Sequence, residues 1–212
     1  MARLQRLMID AIRALRGKTD TVYHLCAKAP LQRLPCMAIG PRGGTVITPW
    51  HVAYAAHYPL KPGDVVKYDW GEREVAKVSA IGKTDIGIAT LKEAVPEGVQ
   101  PAMMLPHDWQ LDLRTHRNSG RLRRPIRALG AKGSGEVVEA ELFSIDERFG
   151  ASGPWASGDS GQPVILPLPK PILIGCLLYA GSGPNISHYW DMIPRLTWEE
   201  GTTMLPGETW YG

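Results

Sequence analysis

Ser157-Gly158-Asp159-Ser160-Gly161-Gln162-Pro163-Val164 sets one hydroxyl side chain on a turn between two glycines. Glycine reaches backbone conformations closed to other residues, so such a turn can be sharp. A serine held there stands beside backbone N–H groups, the setting needed by a nucleophilic Oγ and by an oxyanion formed next to it. Gly, Asp and Ser are also ordinary turn residues, so this chemistry requires a base and an acid from elsewhere in the chain. Working outward, Gly44-Thr45-Val46-Ile47-Thr48-Pro49-Trp50-His51 reads as a β-branched strand running into a proline-bearing turn that delivers His51. Lys83-Thr84-Asp85-Ile86-Gly87-Ile88-Ala89-Thr90-Leu91 places an acid immediately before an apolar strand. Serine Oγ is a poor nucleophile until an imidazole takes its proton, and the imidazole needs a carboxylate to fix its tautomer. The expected catalytic set is therefore His51 as base, Asp85 as orienting acid and Ser160 as nucleophile. His57, six residues beyond His51, reads as a loop residue.

"TVITPWH", "TDIGIATL" and "SGDSGQPV", in that order, resemble the histidine, aspartate and nucleophile blocks of the chymotrypsin-like serine proteases. The resemblance implies an all-β fold of two six-stranded antiparallel β-barrels with the active site between them. It also implies peptide hydrolysis through an acyl-enzyme, an oxyanion hole made by the N–H groups of Gly158 and Ser160, and no cofactor or metal. Three positions depart from the pattern: Pro49-Trp50 replaces a small pair before the histidine, Gly87 stands where alanine is common, and Gln162 replaces a frequent glycine. The family builds its primary pocket from the segments around 153–157 and 176–181, which makes Trp155, Tyr179 and Ala180 substrate-binding candidates, with His188 at the back of the pocket. Trypsin-type members carry an acid six residues before the serine; Pro154 stands there, so the pocket is expected to be neutral and not to select Lys or Arg. With no activation junction of the trypsin type in the sequence, Asp159 is expected to find an internal partner or solvent.

A chain of 212 residues is long enough for two such barrels if the loops are short. They are short: Asp85 follows His51 by 34 residues and Ser160 follows Asp85 by 75. That compactness resembles viral polyprotein-processing and bacterial Deg-type members, and processing of a viral polyprotein is the expected role. The alternatives are a cellular quality-control protease, or a protease-like binding or scaffold module whose site is blocked. Eighteen prolines, 23 glycines and two phenylalanines suit many short strands and tight turns. The expected organisation is an amphipathic helix over 1–18, a first barrel over 19–112, an Arg-rich connection over 113–127, a second barrel over 128–196 and a tail over 197–212. Expected strands are 21–25, 37–40, 44–48, 64–69, 73–81 and 86–91, then 127–131, 136–143, 162–166, 172–179 and 187–192.

The net charge of +3 names no partner, but its distribution is uneven. Leu4, Leu7, Met8, Ala11, Ile12 and Leu15 follow a helical period with arginines on the opposite side. Such a helix packs on the protein body or a neighbouring subunit, rests on an anionic membrane surface, or serves as a targeting peptide, a reading that Asp10 weakens. Arg114, Arg117, Arg121, Arg123, Arg124 and Arg127 stand in a stretch without an acid between Leu113 and Gly135. This cluster either pairs with carboxylates elsewhere or forms an anion or RNA site, for which Arg117, Arg121, Arg123 and Arg124 are the candidates. Cys26, Cys36 and Cys176 leave at least one thiol unpaired, which points to a reducing compartment. The segment before the first block does not read as a secretory signal, so an intracellular site is expected, the host cytoplasm for a viral chain. The histidines show no metal-ligand spacing with cysteines or carboxylates.

Overall fold

The computed structural model describes residues 19–41, 43–104, 113–115, 119–178, 181–189 and 192–193. The helix expected over 1–18 and the tail over 197–212 lie outside these residues. The described chain is mostly β, with two curled antiparallel sheets, one nearly closed as a barrel and the other a half-barrel.

The first sheet has five strands: β1 (Thr45–Thr48), β2 (His51–Ala55), β3 (Val65–Tyr68), β4 (Gly71–Ala80) and β5 (Ile86–Leu91). Their order is β1-β2-β5-β4-β3. The strand expected over 37–40 is reduced to two isolated bridges, Met37 to Thr45 on β1 and Ile39 to Lys67 on β3. Pro35 and Pro41 flank this stretch and Gly40 takes φ 112°, so it spans from one sheet edge to the other without continuing as a strand. Pro49 and Trp50 form the two-residue hairpin between β1 and β2, with Thr48 opposite His51.

The second sheet has six strands: β6 (Arg121–Ala131), β7 (Val137–Ile145), β8 (Arg148–Ser152), β9 (Pro163–Leu166), β10 (Ile172–Cys176) and β11 (Ser182–Pro184). Their order is β10-β9-β6-β7-β8-β11. In β7, Val138, Ala140, Leu142 and Ile145 are buried while Glu139, Glu141 and Phe143 face outward, the alternation of a strand with one wet face. Its core gathers Ile126, Leu142, Phe149 and Ile174, each contributing about 1.5–3 kcal/mol by leaving water.

Two further expected strands are helical instead. Residues 21–25 belong to a helix, α1 (Thr19–Lys28), not to a strand. Thr21, Val22 and Tyr23 favour strands locally, but Val22 and Cys26, one helical turn apart, bury together in the core of the second sheet. The helix is tied to β6: Arg124 pairs with Asp20 at 2.6 Å, and Arg127 donates to the Cys26 and Ala29 carbonyls at 3.0 and 2.7 Å. Of the strand expected over 187–192, residues 187–189 lie instead in a 3₁₀ turn, Ile186–Tyr189, while 190 and 191 lie outside the described residues. Asn185 starts it, its side chain accepting from Ser187 N–H at 3.1 Å and its carbonyl from His188 N–H at 3.0 Å. Among the described residues no helix is long and apolar enough to cross a membrane.

Candidate active site

β2 and β5 run antiparallel with Ala55 opposite Ile86 and His51 opposite Thr90. The residues just past the end of β2, Ala56 and His57, therefore lie beside Asp85, the residue just before β5. Ala56 N–H donates to the Asp85 carbonyl at 3.0 Å, extending the ladder. His57 N–H then donates to Asp85 Oδ1 at 2.7 Å, and His57 Nδ1 lies 2.7 Å from Asp85 Oδ2. The carboxylate thus holds both the backbone and the ring of the histidine, leaving the Nε2 edge directed away from the acid.

His51 does not occupy the position expected of it. It opens β2 at the far end of the sheet, five residues of strand from Asp85's level, or roughly 16 Å at about 3.3 Å per residue. Its ring is buried, and Nδ1 lies 2.8 Å from Thr48 Oγ1, which also accepts Trp50 N–H at 3.0 Å. The physical reason is the tight Pro49-Trp50 hairpin, which sends the chain straight into β2 instead of ending a strand at the site. The signal that identifies His57 is Ala55-Ala56-His57, a small pair before a histidine. Gly87, the second departure, is covered by Tyr54 across the β2–β5 ladder: a Cβ there would lie 2.2 Å from the ring.

The Ser160 turn joins β8 to β9 on the second sheet. Gly158 and Gly161 take φ 97° and 85°, and a side chain at either position would strain the turn. Asp159 is buried and clamps the turn from within, Oδ1 accepting from Gly133 N–H at 2.9 Å and Oδ2 from Ala156 N–H at 2.8 Å. Internal N–H groups are thus its partners. Asp159 N–H donates to the Ala156 carbonyl and Gly161 N–H to the Leu177 carbonyl. Among the described residues no acceptor takes the N–H of Gly158 or Ser160. Ser160 Oγ donates to the Leu178 carbonyl at 3.1 Å.

The two halves meet at the end of β2. A methyl built on Gly161 would stand 3.6 Å from Ala55 Cβ, two residues before His57. Cys176 on β10 feels Asp85 as well: burial first, then the Asp85 charge, raise its thiol to about 12. Asp85, His57 and the Ser160 turn therefore share one edge of the junction between the sheets.

Beside Ser160 opens a cleft of about 300 Å³ whose lining includes Trp155, Gly158, Leu177, Leu178 and Gly181. The Trp155 ring packs over glycine backbone at 130, 153 and 181, where any Cβ would come within 3.0 Å of it. Among the described residues of this lining the only ionisable side chain is Asp159, already committed to two N–H donors. Tyr179 and Ala180 lie outside the described residues. His188 is exposed on the 3₁₀ turn, edge-on to Tyr189 with centroids 5.0 Å apart, and does not line the cleft. The Asn185 cap that starts this turn replaces the strand that would have carried it there.

Of the Arg-rich segment, Arg117 lies outside the described residues, and residues from Arg121 onward form β6 instead of a connection. Arg124 is held by Asp20 and lies 3.8 Å from the centre of the Tyr23 ring; Arg123 Nε donates to the Arg114 carbonyl at 3.1 Å; Arg121 is exposed. The cluster thus does part of the work of docking α1. The three cysteines are free and buried, with thiols raised by burial to about 12. No family model matches the chain, and no curated protein matches it.

Proposed function

We propose that this protein is a serine endopeptidase of the chymotrypsin-like type in which Ser160 is the nucleophile, His57 the base and Asp85 the acid that orients it. One observation carries this reading: the two-point grip of Asp85 on His57, at the sheet edge that meets the Ser160 turn. Ser160 Oγ turns from the Leu178 carbonyl toward His57 Nε2 when substrate binds, and attacks the scissile carbonyl as His57 takes its proton. The N–H groups of Gly158 and Ser160 receive the developing oxyanion. His57 then protonates the leaving amine, and water releases the acyl group by the same route in reverse. Because Asp159 already has internal N–H donors, the turn is set without a newly cut N-terminus.

The neutral, Trp155-walled cleft favours substrates with an uncharged side chain before the scissile bond. Processing of a polyprotein in a reducing compartment is the proposed setting, supported by three buried reduced thiols and short interstrand loops. The test is a fluorophosphonate probe followed by a peptide library. Stoichiometric labelling that disappears in Ser160→Ala, with cleavage after uncharged residues, supports the reading; an intact protein that does not label is a protease-like scaffold.

A further inference from the structure

The catalytic groups proposed above sit on different sheets, His57 and Asp85 on the first and Ser160 on the second. Nucleophilic attack tolerates little error in their separation, since a displacement of about 1 Å costs on the order of a hundredfold in rate. Something must therefore fix one sheet against the other directly behind Ser160.

Gln162 stands at that place. It is fully buried, two residues after the nucleophile, and its side chain leaves the second sheet to meet the first. Its Nε2 donates to the Gly40 carbonyl at 2.7 Å. The amide orientation follows from chemistry, because the reverse would set two carbonyl oxygens against each other. Gly43, on the same loop, presses on the residue from the other side: a Cβ at 43 would lie 2.8 Å from both Cα and Cδ of Gln162 and 2.7 Å from the Gly161 carbonyl. On its own sheet Gln162 is equally fixed, its carbonyl accepting from Leu177 N–H at 2.8 Å and its N–H donating to the Asp159 carbonyl at 3.2 Å. Among the described residues its Oε1 meets no donor. A buried amide with one unmet acceptor is a cost to stability that an apolar side chain of the same size would avoid. The benefit lies in what Nε2 holds.

We propose that Gln162 is a positioning residue, a buried cross-tie that locks the nucleophile turn to the 40–43 loop of the first sheet and so sets Ser160 against His57. This rests on the protease reading, and the experiment separates the two. Gln162→Met keeps the length of the side chain, removes the donor and also removes the unmet acceptor. A residue that only fills space predicts unchanged or raised thermal stability and unchanged chemistry. A cross-tie predicts unchanged or raised stability together with fluorophosphonate labelling at least tenfold slower, and a peptidase defect in kcat with KM unaltered. Gln162→Leu, apolar, of similar volume and without a donor, carries the same comparison if Gln162→Met fails to fold. Folded variants that label and turn over at the wild-type rate overturn the cross-tie while leaving the protease reading intact. A wild-type protein that does not label overturns both.

Discussion

Two histidines stand at opposite ends of one strand and its leading turn, and they have opposite fates. His51 begins β2, is buried, and has Thr48 Oγ1 at 2.8 Å from Nδ1. His57 follows the end of β2, is partly exposed, and is gripped twice by Asp85. Both are six residues or fewer from a plausible strand end in sequence, so closeness to a strand end does not rank them. Register does. β2 is antiparallel to β5, and only the end of β2 that meets the start of β5 shares a level with Asp85. That same end lies across the sheet junction from the Ser160 turn, where a Cβ built on Gly161 would stand 3.6 Å from Ala55 Cβ.

The comparison breaks most readily at the His57 end. His57→Ala is expected to lower kcat by up to about 10⁶-fold, since the serine loses its base, and Asp85→Asn by about 10⁴-fold, since the tautomer is no longer fixed. Steady-state hydrolysis of a cleaved peptide checks both, with circular dichroism to confirm the fold. If either variant stays within tenfold of wild type, the grip of Asp85 on His57 is structural and the account is wrong there.

At the other end the expected currency is stability. His51→Ala removes a buried ring and one of the two hydrogen-bond partners of Thr48 Oγ1, with an expected loss of about 1–3 kcal/mol in denaturant unfolding and near-normal kcat in the folded protein. A large loss of kcat at unchanged stability would instead put His51 in the chemistry.

A smaller effect is expected with pH. Burial raises the thiols of Cys26, Cys36 and Cys176 from 9.0 to about 12, so the folded state keeps protons that the unfolded chain loses earlier. The stabilisation is fully present below pH 9 and is lost as pH rises toward 12. Thermal melts should show this decline, and thiol alkylation at pH 8 should require denaturant. Rapid alkylation of the native protein would contradict the burial.

The smallest effect is expected at Trp50. It belongs to the β1–β2 hairpin beside His51, not to the His57 end, so Trp50→Ala should change kcat/KM by less than about twofold and stability by about 0.5 kcal/mol or less. A larger change in kcat/KM would bring that hairpin back to the substrate path.

Much of the fold was legible where pattern and propensity agree. The apolar run at 86–91 is β5 to the residue, and β1, β3, β4, β9 and the start of β10 fall within a few residues of the sequence reading. β2, β8 and β11 escaped because His51-Val52-Ala53-Tyr54-Ala55, Arg148-Phe149-Gly150-Ala151-Ser152 and Ser182-Gly183-Pro184 are rich in residues with little strand preference. They are strands because their neighbours pair with them, which no local signal reports. Without β2, the strand end before Pro49 points to His51, not to the histidine that Asp85 grips. The place of Asp85 at the head of β5 and of Ser160 on a tight turn was legible because an acid before an apolar run and a serine between glycines announce themselves locally. Gln162 was visible only as a departure, since its partner, the Gly40 carbonyl, is 122 residues away.

The most direct test is the rate of covalent labelling of Ser160 by a fluorophosphonate in wild type, His57→Ala and His51→Ala, each shown to be folded. The account predicts fast labelling in wild type and in His51→Ala, and labelling reduced by orders of magnitude in His57→Ala. Loss of labelling in His51→Ala with retention in His57→Ala would contradict it outright.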